Sequence, residues 1–422
     1  MRQLLKKLFC ISLFVPIVFT FFLVSSSYAS DERGVNFHSG TTVYRDSSII
    51  MLLGTLVILV YYSIMWARVG RDPKKGNVVT KSKPPENYSP EALRYIEQMK
   101  FDNKAFTVAI INMAVKRYLN IREDDGVYIL SRGNADKEVL SKEEKRVAEA
   151  LRLDELHELE LSQANHRIIG SAVEALTASL KKDYVNSHFI LNTKYFMPGV
   201  VFSLFVIILS GSKQFGKNTV PLIIFSFLGL MFLSLTARIL SLWKKTLIEN
   251  RKEGSFLFES TILCSIAFFL LMFQTIIFIN FSFYLHIYFV LSVFLILSLN
   301  VIYNYLLRAP TVLGRKILDE VDGFRMYLTY EEQGQNGGLD YIEKTPELFE
   351  RYLPYALALD VEVQWGEQFD SLLQKAKESG HYVPSWYHGP KWSRFNVAKF
   401  ASSLGSSFSS AVSSSSSAPS SS

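Results

Sequence analysis

Asp319, Glu320 and Asp322 place three carboxylates within four positions, the residue type that general acid–base catalysis uses. On a helix such a group more often forms a solvated face, and it is read so here. His157 and His166 stand near Glu158 and Glu160 and are metal ligands by residue type. Their spacing matches no common zinc pattern, and HELEL departs from H-E-x-x-H, so the segment reads as polar surface. His381 and His388, in GHYVPSWYHGP, lie among Tyr382, Trp386 and Tyr387; this reads as an aromatic loop packed on a membrane or on its own domain. Gly334, Gly337 and Gly338 lack the lysine and strand that a phosphate-binding loop needs. The chain contains no G-x-S-x-G, P-loop or G-x-G-x-x-G motif. No catalytic, cofactor-binding or metal-ligating residue is assigned, and no cofactor is expected.

The elements around these residues are dominated by apolar blocks. Of 422 residues 49% are hydrophobic and 14% aromatic, more apolar than a soluble chain of this size usually is. The excess falls in six blocks: 8–24, 48–67, 196–210, 220–240, 257–280 and 283–307. Most approach the ~20 residues that cross a bilayer core. Arg2, Lys6 and Lys7 precede the first block, and Ser27-Tyr28-Ala29 follows it, which is the pattern of a secretory signal cleaved after Ala29. Cys10 and Cys264 lie in separate apolar blocks, so no disulfide framework is expected.

Positive residues mark the inner ends of spans. Arg68, Arg71, Lys74, Lys75, Lys81 and Lys83 follow the 48–67 block, with Asp72 the lone acid before Pro84-Pro85. Lys244, Lys245, Arg251 and Lys252 follow 220–240, and Arg308, Arg315 and Lys316 follow 283–307. The expected fold class is a polytopic α-helical membrane protein with a signal peptide and five transmembrane helices. It carries a small α+β cytoplasmic domain of winged-helix-like order and a mainly helical C-terminal cytoplasmic domain.

The expected boundaries are a signal peptide at 1–29, a short extracytoplasmic segment at 30–47 and a first span at 48–67. The α+β domain covers 68–195, spans two and three 196–240, and a basic connector 241–256. Spans four and five cover 257–307, the helical domain 308–400, and a disordered serine-rich tail 401–422. Within the α+β domain, Ser89-Pro90-Glu91 opens one helix, and a second follows Asp102 with Phe106, Ala109, Ile110 and Met113 on its buried face. Asp125-Gly126 turns a hairpin, Ser141 to Glu144 forms a capping box, and a last helix covers 163–184. In the C-terminal segment, helices are expected at 311–332, from Thr345 to Ala358, and over 364–378. The tail has low hydrophobicity and no evident period, so it reads as disordered.

Several stretches together carry a resemblance: GRDP (Gly70–Pro73), PPENYSPEALRY (Pro84–Tyr95), AFTVAIINMAVKRYLNI (Ala105–Ile121), APTVLGRKILDEVDGFRMYLTYEEQ (Ala309–Gln333) and TPELFERYLPYALALDVEVQWGEQF (Thr345–Phe369). In this order they resemble the YciQ-like family of predicted bacterial membrane proteins, a domain of unknown function, over roughly 66–386. The resemblance implies a bacterial plasma-membrane location and supplies no reaction or site residues. It also implies a large outer domain and a glycine-rich tail, whereas here only 30–47 precedes the first span and the tail is serine-rich.

The sequence therefore reads as a non-enzymatic membrane anchor or interaction scaffold. The alternatives are a membrane-tethered winged-helix nucleic-acid-binding regulator, and an unrecognised membrane enzyme or transporter. Residues 84–195 hold 16 Lys and Arg against 18 Asp and Glu, which disfavours phosphate binding, although Lys104, Lys116, Arg117 and Arg122 form a local basic patch. Gln274 is the main polar group within the spans, with Arg238, Glu259 and His286 near their ends. The partners implied are the lipid bilayer and proteins on the cytoplasmic side. The two cytoplasmic domains are expected to dock through apolar surface around Tyr352, Tyr355 and Trp365.

Overall fold

The computed structural model describes residues 41–215, 287–329, 344–378, 382–394 and 396–416. The expected signal peptide, the 220–240 and 257–280 spans and the basic connector lie outside these residues. So do Arg238, Glu259, Gln274, His286, the glycines at 334–338 and His381.

Along the chain, α1 (Thr41–Met65) ends in a single wider turn, Trp66–Gly70. Next come α2 (Pro90–Gln98), α3 (Asn103–Val115), β1 (Leu119–Asp124), β2 (Val127–Arg132) and α4 (Lys142–Leu151). β3 (Glu158–Glu160), α5 (His166–Tyr184), α6 (Thr193–Phe215) and α7 (Ile287–Leu306) follow. The last part holds α8 (Val312–Thr329), α9 (Pro346–Ala358), α10 (Glu362–Glu367), α11 (Asp370–Glu378), β4 (Tyr387–His388) and α12 (Val397–Ser415).

Local chemistry explains the starts and turns. Pro90 sits in the first turn of α2, where its missing N–H costs nothing. The Asp102 carboxylate accepts from Ala105 N and starts α3. Ser141 and Glu144 bond reciprocally at the start of α4, and Thr345 accepts from Leu348 N at the start of α9. The β1–β2 hairpin turns through Asp125 and Gly126 at φ 45° and 82°. Both are left-handed, as a two-residue turn between twisted strands requires. The helix expected over 364–378 is instead two helices, α10 and α11, separated at Gln368 and Phe369.

The described residues form two compact units, one within Met1–Arg71 and Asn192–Ala309 and the other within Asp72–Leu191 and Pro310–Ser422. In the first, α1 packs on α6 and α7. Ile49–Gly70 and Thr193–Ser212 are each long and apolar enough to cross a membrane, and Leu291–Leu306 is a shorter apolar helix. Their contact is built from Met51, Ile58, Tyr62, Val206, Ile207, Ile296, Leu299 and Tyr303. The outward faces remain apolar, with Leu53, Val57, Val201 and Phe205 about half exposed.

The second unit corrects the expected division into two cytoplasmic domains. One hydrophobic core runs from α2, α3, α4 and α5 into α8, α9, α10 and α12. Every side chain from Lys104 to Ala114 of α3 is buried. A helix buried on all sides needs neighbours on all sides, and the later segment supplies them: α9 and α12 both pack on α3. The sheet repeats this closure, its order being β3-β2-β1-β4. β1 pairs antiparallel with β2, Leu119 facing Arg132, and parallel with β4, Ile121 facing Tyr387. The hairpin is thus the middle of a four-stranded sheet and not a free wing.

The tail also differs from expectation. Val397–Ser415 is helical, not disordered, and buries Phe400, Ala401, Leu404, Phe408 and Val412. These residues recur three to four positions apart, giving one apolar stripe on an otherwise serine surface. Many of the serines bond back onto the helix, such as Ser406 Oγ to Ser402 O at 2.9 Å and Ser410 Oγ to Ser406 O at 3.0 Å.

Candidate functional site

The α8 carboxylates are not simply solvated. Residues 72–83 have no regular secondary structure and lie along α8 as a strap. Lys75 Nζ is 2.8 Å from Asp322 Oδ2, and Lys81 Nζ is 3.3 Å from Glu320 Oε2. Gly76 N donates to Asp319 Oδ2 at 2.9 Å, and Lys81 N donates to Gly323 O at 3.2 Å. Gly323 makes room for this approach, because a Cβ there would stand 2.1 Å from Val79 O. Within α8, Arg315 Nη2 holds Asp319 Oδ1 at 2.6 Å and Arg325 Nη1 holds Asp322 Oδ1 at 3.2 Å. The triad is therefore a dock for basic chain. Both strap lysines keep 48% of their side-chain surface in water, so each pair contributes only about 0–1 kcal/mol.

A second cluster is buried. Arg94 Nη2 meets Asp102 Oδ2 at 2.5 Å, and Arg94 Nη1 meets Asp360 Oδ1 at 3.1 Å. Lys104 Nζ lies 2.6 Å from Asp360 Oδ1 and 2.7 Å from Glu362 Oε1. Burial alone would lower the pKa of Arg94 and Lys104, but the facing carboxylates outweigh it and both are raised. Asp360 is lowered, its burial outweighed by Arg94 and Lys104. The cluster thus holds fixed charges, suited to locking α2 and α3 onto the α9–α10 corner. Close by, Tyr355 Oη donates to Tyr88 O at 3.3 Å, while Tyr352 and Trp365 are buried. The apolar docking expected around these residues is built into the core.

A family model described as the predicted membrane protein (DUF2207) C-terminal domain matches residues 81–369, about two thirds of the chain. The chain belongs to this family. No curated protein and no solved structure matches it. The family region begins at Lys81 within the strap and ends at Phe369. It takes in α8 and the buried ion cluster but stops short of α12.

The remaining candidate residues are scattered within this family fold. His157 is exposed at the end of a short turn, and Glu158 pairs with Arg122 at 3.0 Å. His166 Nδ1 sits 2.9 Å from Gln163 O. His388 is exposed on β4. Among the described residues no three His, Cys, Asp or Glu side chains group as a metal site. The basic patch is engaged residue by residue: Lys104 as above, Lys116 with Glu144 at 2.6 Å, Arg117 with Glu350 at 3.1 Å, and Arg122 with Glu158.

Sequence reasoning missed two polar clusters. Lys391 Nζ joins Glu123 Oε1 at 2.6 Å, Tyr128 Oη at 2.5 Å and Ser407 Oγ at 2.9 Å, fastening α12 to β1 and β2. In the apolar unit, Asn300 Oδ1 accepts from Tyr62 Oη at 2.7 Å, and Asn300 Nδ2 donates to Ser203 Oγ at 2.9 Å. Asn300 and Asn304, inside an otherwise largely apolar run, were the available signal for the second.

Proposed function

We propose that this is a multi-pass plasma-membrane protein of the YciQ-like type that holds one rigid cytoplasmic body against the bilayer as an interaction scaffold, without catalysis of its own. The observation that carries this reading is the Lys104–Glu362 pair. It ties chain before residues 193–307 to chain after them, 258 positions apart. A body closed in that way joins its two chain segments into one core. The positive residues at 68–83 and 308–316 support a cytoplasmic placement. The pairing of Lys104, Lys116, Arg117 and Arg122 with carboxylates supports a protein-facing role over a phosphate-binding one.

Two measurements test the reading together. Single cysteines at Asn87 and Tyr341 are expected to react only from the cytoplasmic side, and one at Gln214 only from outside. Affinity capture of the full chain from crosslinked membranes is expected to retain proteins that Lys104→Met, which unlocks the body, loses. External labelling at Asn87 would remove the cytoplasmic placement. A captured set unchanged by Lys104→Met would remove the scaffold.

A further inference from the structure

The charge on the strap suits more than one partner. It carries Lys74, Lys75, Lys81 and Lys83 against Asp72, and all four lysines are exposed. It follows within two residues of Gly70, the last residue of an apolar helix long enough to cross a membrane. Lys74, four residues beyond Gly70, can lie no further than about 14 Å from it along extended chain. Clusters of basic residues in that place are drawn to anionic headgroups by roughly fivefold per residue. The α8 dock competes with only two half-exposed ion pairs and two backbone hydrogen bonds.

We infer that residues 72–83 exchange between the Asp319–Glu320–Asp322 dock on α8 and the anionic lipid surface, so that acidic lipid releases the strap and uncovers this face of α8. The dock is specific in shape as well as charge. Gly323 admits the Val79 carbonyl where any side chain would collide, which exposed acids met by chance would not require. The lysines divide between the two partners. Lys75 and Lys81 hold the dock, while Lys74 and Lys83 stand exposed beside it and add attraction to lipid.

The inference rests on the membrane-anchored reading above, and its test separates the two. Full-length protein with Cys10→Ser and Cys264→Ser is spin-labelled at Val79→Cys and Met326→Cys, both exposed positions. It is placed in nanodiscs of phosphatidylcholine alone or with about one third phosphatidylglycerol, and the label distance is measured by pulsed electron resonance. A short distance is expected in the neutral discs, with its population falling at least threefold in the anionic ones. Gly323→Ala is expected to lose the short distance in both. Lys74→Gln with Lys83→Gln is expected to keep the short distance in both, having lost the lipid response alone. Failure to enter nanodiscs would overturn the anchored reading. Protein that enters them with the same distances in both lipids, or that responds to lipid without Lys74 and Lys83, would overturn the exchange.

Discussion

Lys104 Nζ and Glu362 Oε1 stand 2.7 Å apart with both side chains about 6% exposed. Around them Asp360, Asp102 and Arg94 complete an alternating set of charges. Removing one member of a buried pair leaves an uncompensated charge, at a cost of about 3–5 kcal/mol, whereas removing both is often nearly neutral. Glu362 Oε2 has no hydrogen-bond partner, so loss of Lys104 isolates that carboxylate further. Lys104→Met is expected to lower the thermal midpoint of purified full-length protein sharply, and adding Glu362→Leu to recover most of the loss. A double variant no more stable than the single would show that the pair is not coupled.

Glu91 gives the fold a pH dependence, to which Glu97, raised by burial against the pull of Arg325, adds in the same direction. The Glu91 carboxyl is fully buried, and Oε2 has no partner. Burial, reinforced by the Glu144 carboxylate and eased by Lys116, pushes it up to about 8 from an unfolded-chain value near 4.5. The fold therefore binds a proton that the unfolded chain has released, and stability falls as pH rises between those values. His188 has a pKa lowered by burial, so its contribution has the opposite sign and is confined below about 6.5. Between pH 6.5 and 8 the thermal midpoint is expected to fall for the parent chain and to fall less for Glu91→Gln. An equal slope in both would assign the effect elsewhere.

Much of this body was legible because its signals are local. Ser141 with Glu144, Asp102, Thr345 and Asp125-Gly126 each announce a cap or a turn within a few residues. What escaped was pairing across distance. Lys104 reads as surface by type, and nothing in AFTVAIINMAV says that the partner of its charge is Glu362. The same holds for the strap, since Asp319, Glu320 and Asp322 look like a solvated face until residues 75–81 are laid on them. On α3, a stripe was read at Phe106, Ile110 and Met113, and these are buried, but so are the residues between them. A one-sided reading left two domains that dock through their surfaces, where the full burial of α3 gives one core shared with the second segment.

The serine-rich end gives the next test. Composition alone suggests disorder, yet Leu404 and Phe408 are fully buried, and Tyr128 packs on Phe408 with ring centroids 4.9 Å apart. Leu404→Asp places an unpaired charge in the core, at a cost of several kcal/mol. Ser414→Asp on the exposed side is expected to stay within about 0.5 kcal/mol of the parent. Limited proteolysis of membranes is expected to cut Leu404→Asp within 397–415 and to spare the parent and Ser414→Asp. Equal cutting of all three would return the segment to a disordered tail.

The last prediction concerns Asn300 and Tyr62 in the apolar unit. The Tyr62 hydroxyl donates to Asn300 Oδ1 at 2.7 Å, and its ring stacks on Tyr303 with centroids 4.9 Å apart. Asn300 Nδ2 reaches Ser203 Oγ at 2.9 Å and Ile296 O at 2.8 Å. One amide thus joins α1, α6 and α7. In an apolar medium helices gain little from burying carbon, so register falls to close packing and to bonds of this kind. The contribution of one such bond is modest, averaging about 0.6 kcal/mol with a ceiling near 1.7. The informative quantity is therefore the coupling between the two residues. Tyr62→Phe keeps the stacked ring and removes only the hydroxyl, while Asn300→Leu keeps the volume and removes the amide. In a double-mutant cycle on detergent-solubilised full-length protein, a coupling of about 0.5–1.5 kcal/mol is expected. Asn300→Leu alone is expected to cost more than Tyr62→Phe, because it also strips Ser203 of its donor. A coupling of zero would mean that packing of Tyr62 against Tyr303 sets the register, with the polar cluster incidental to it.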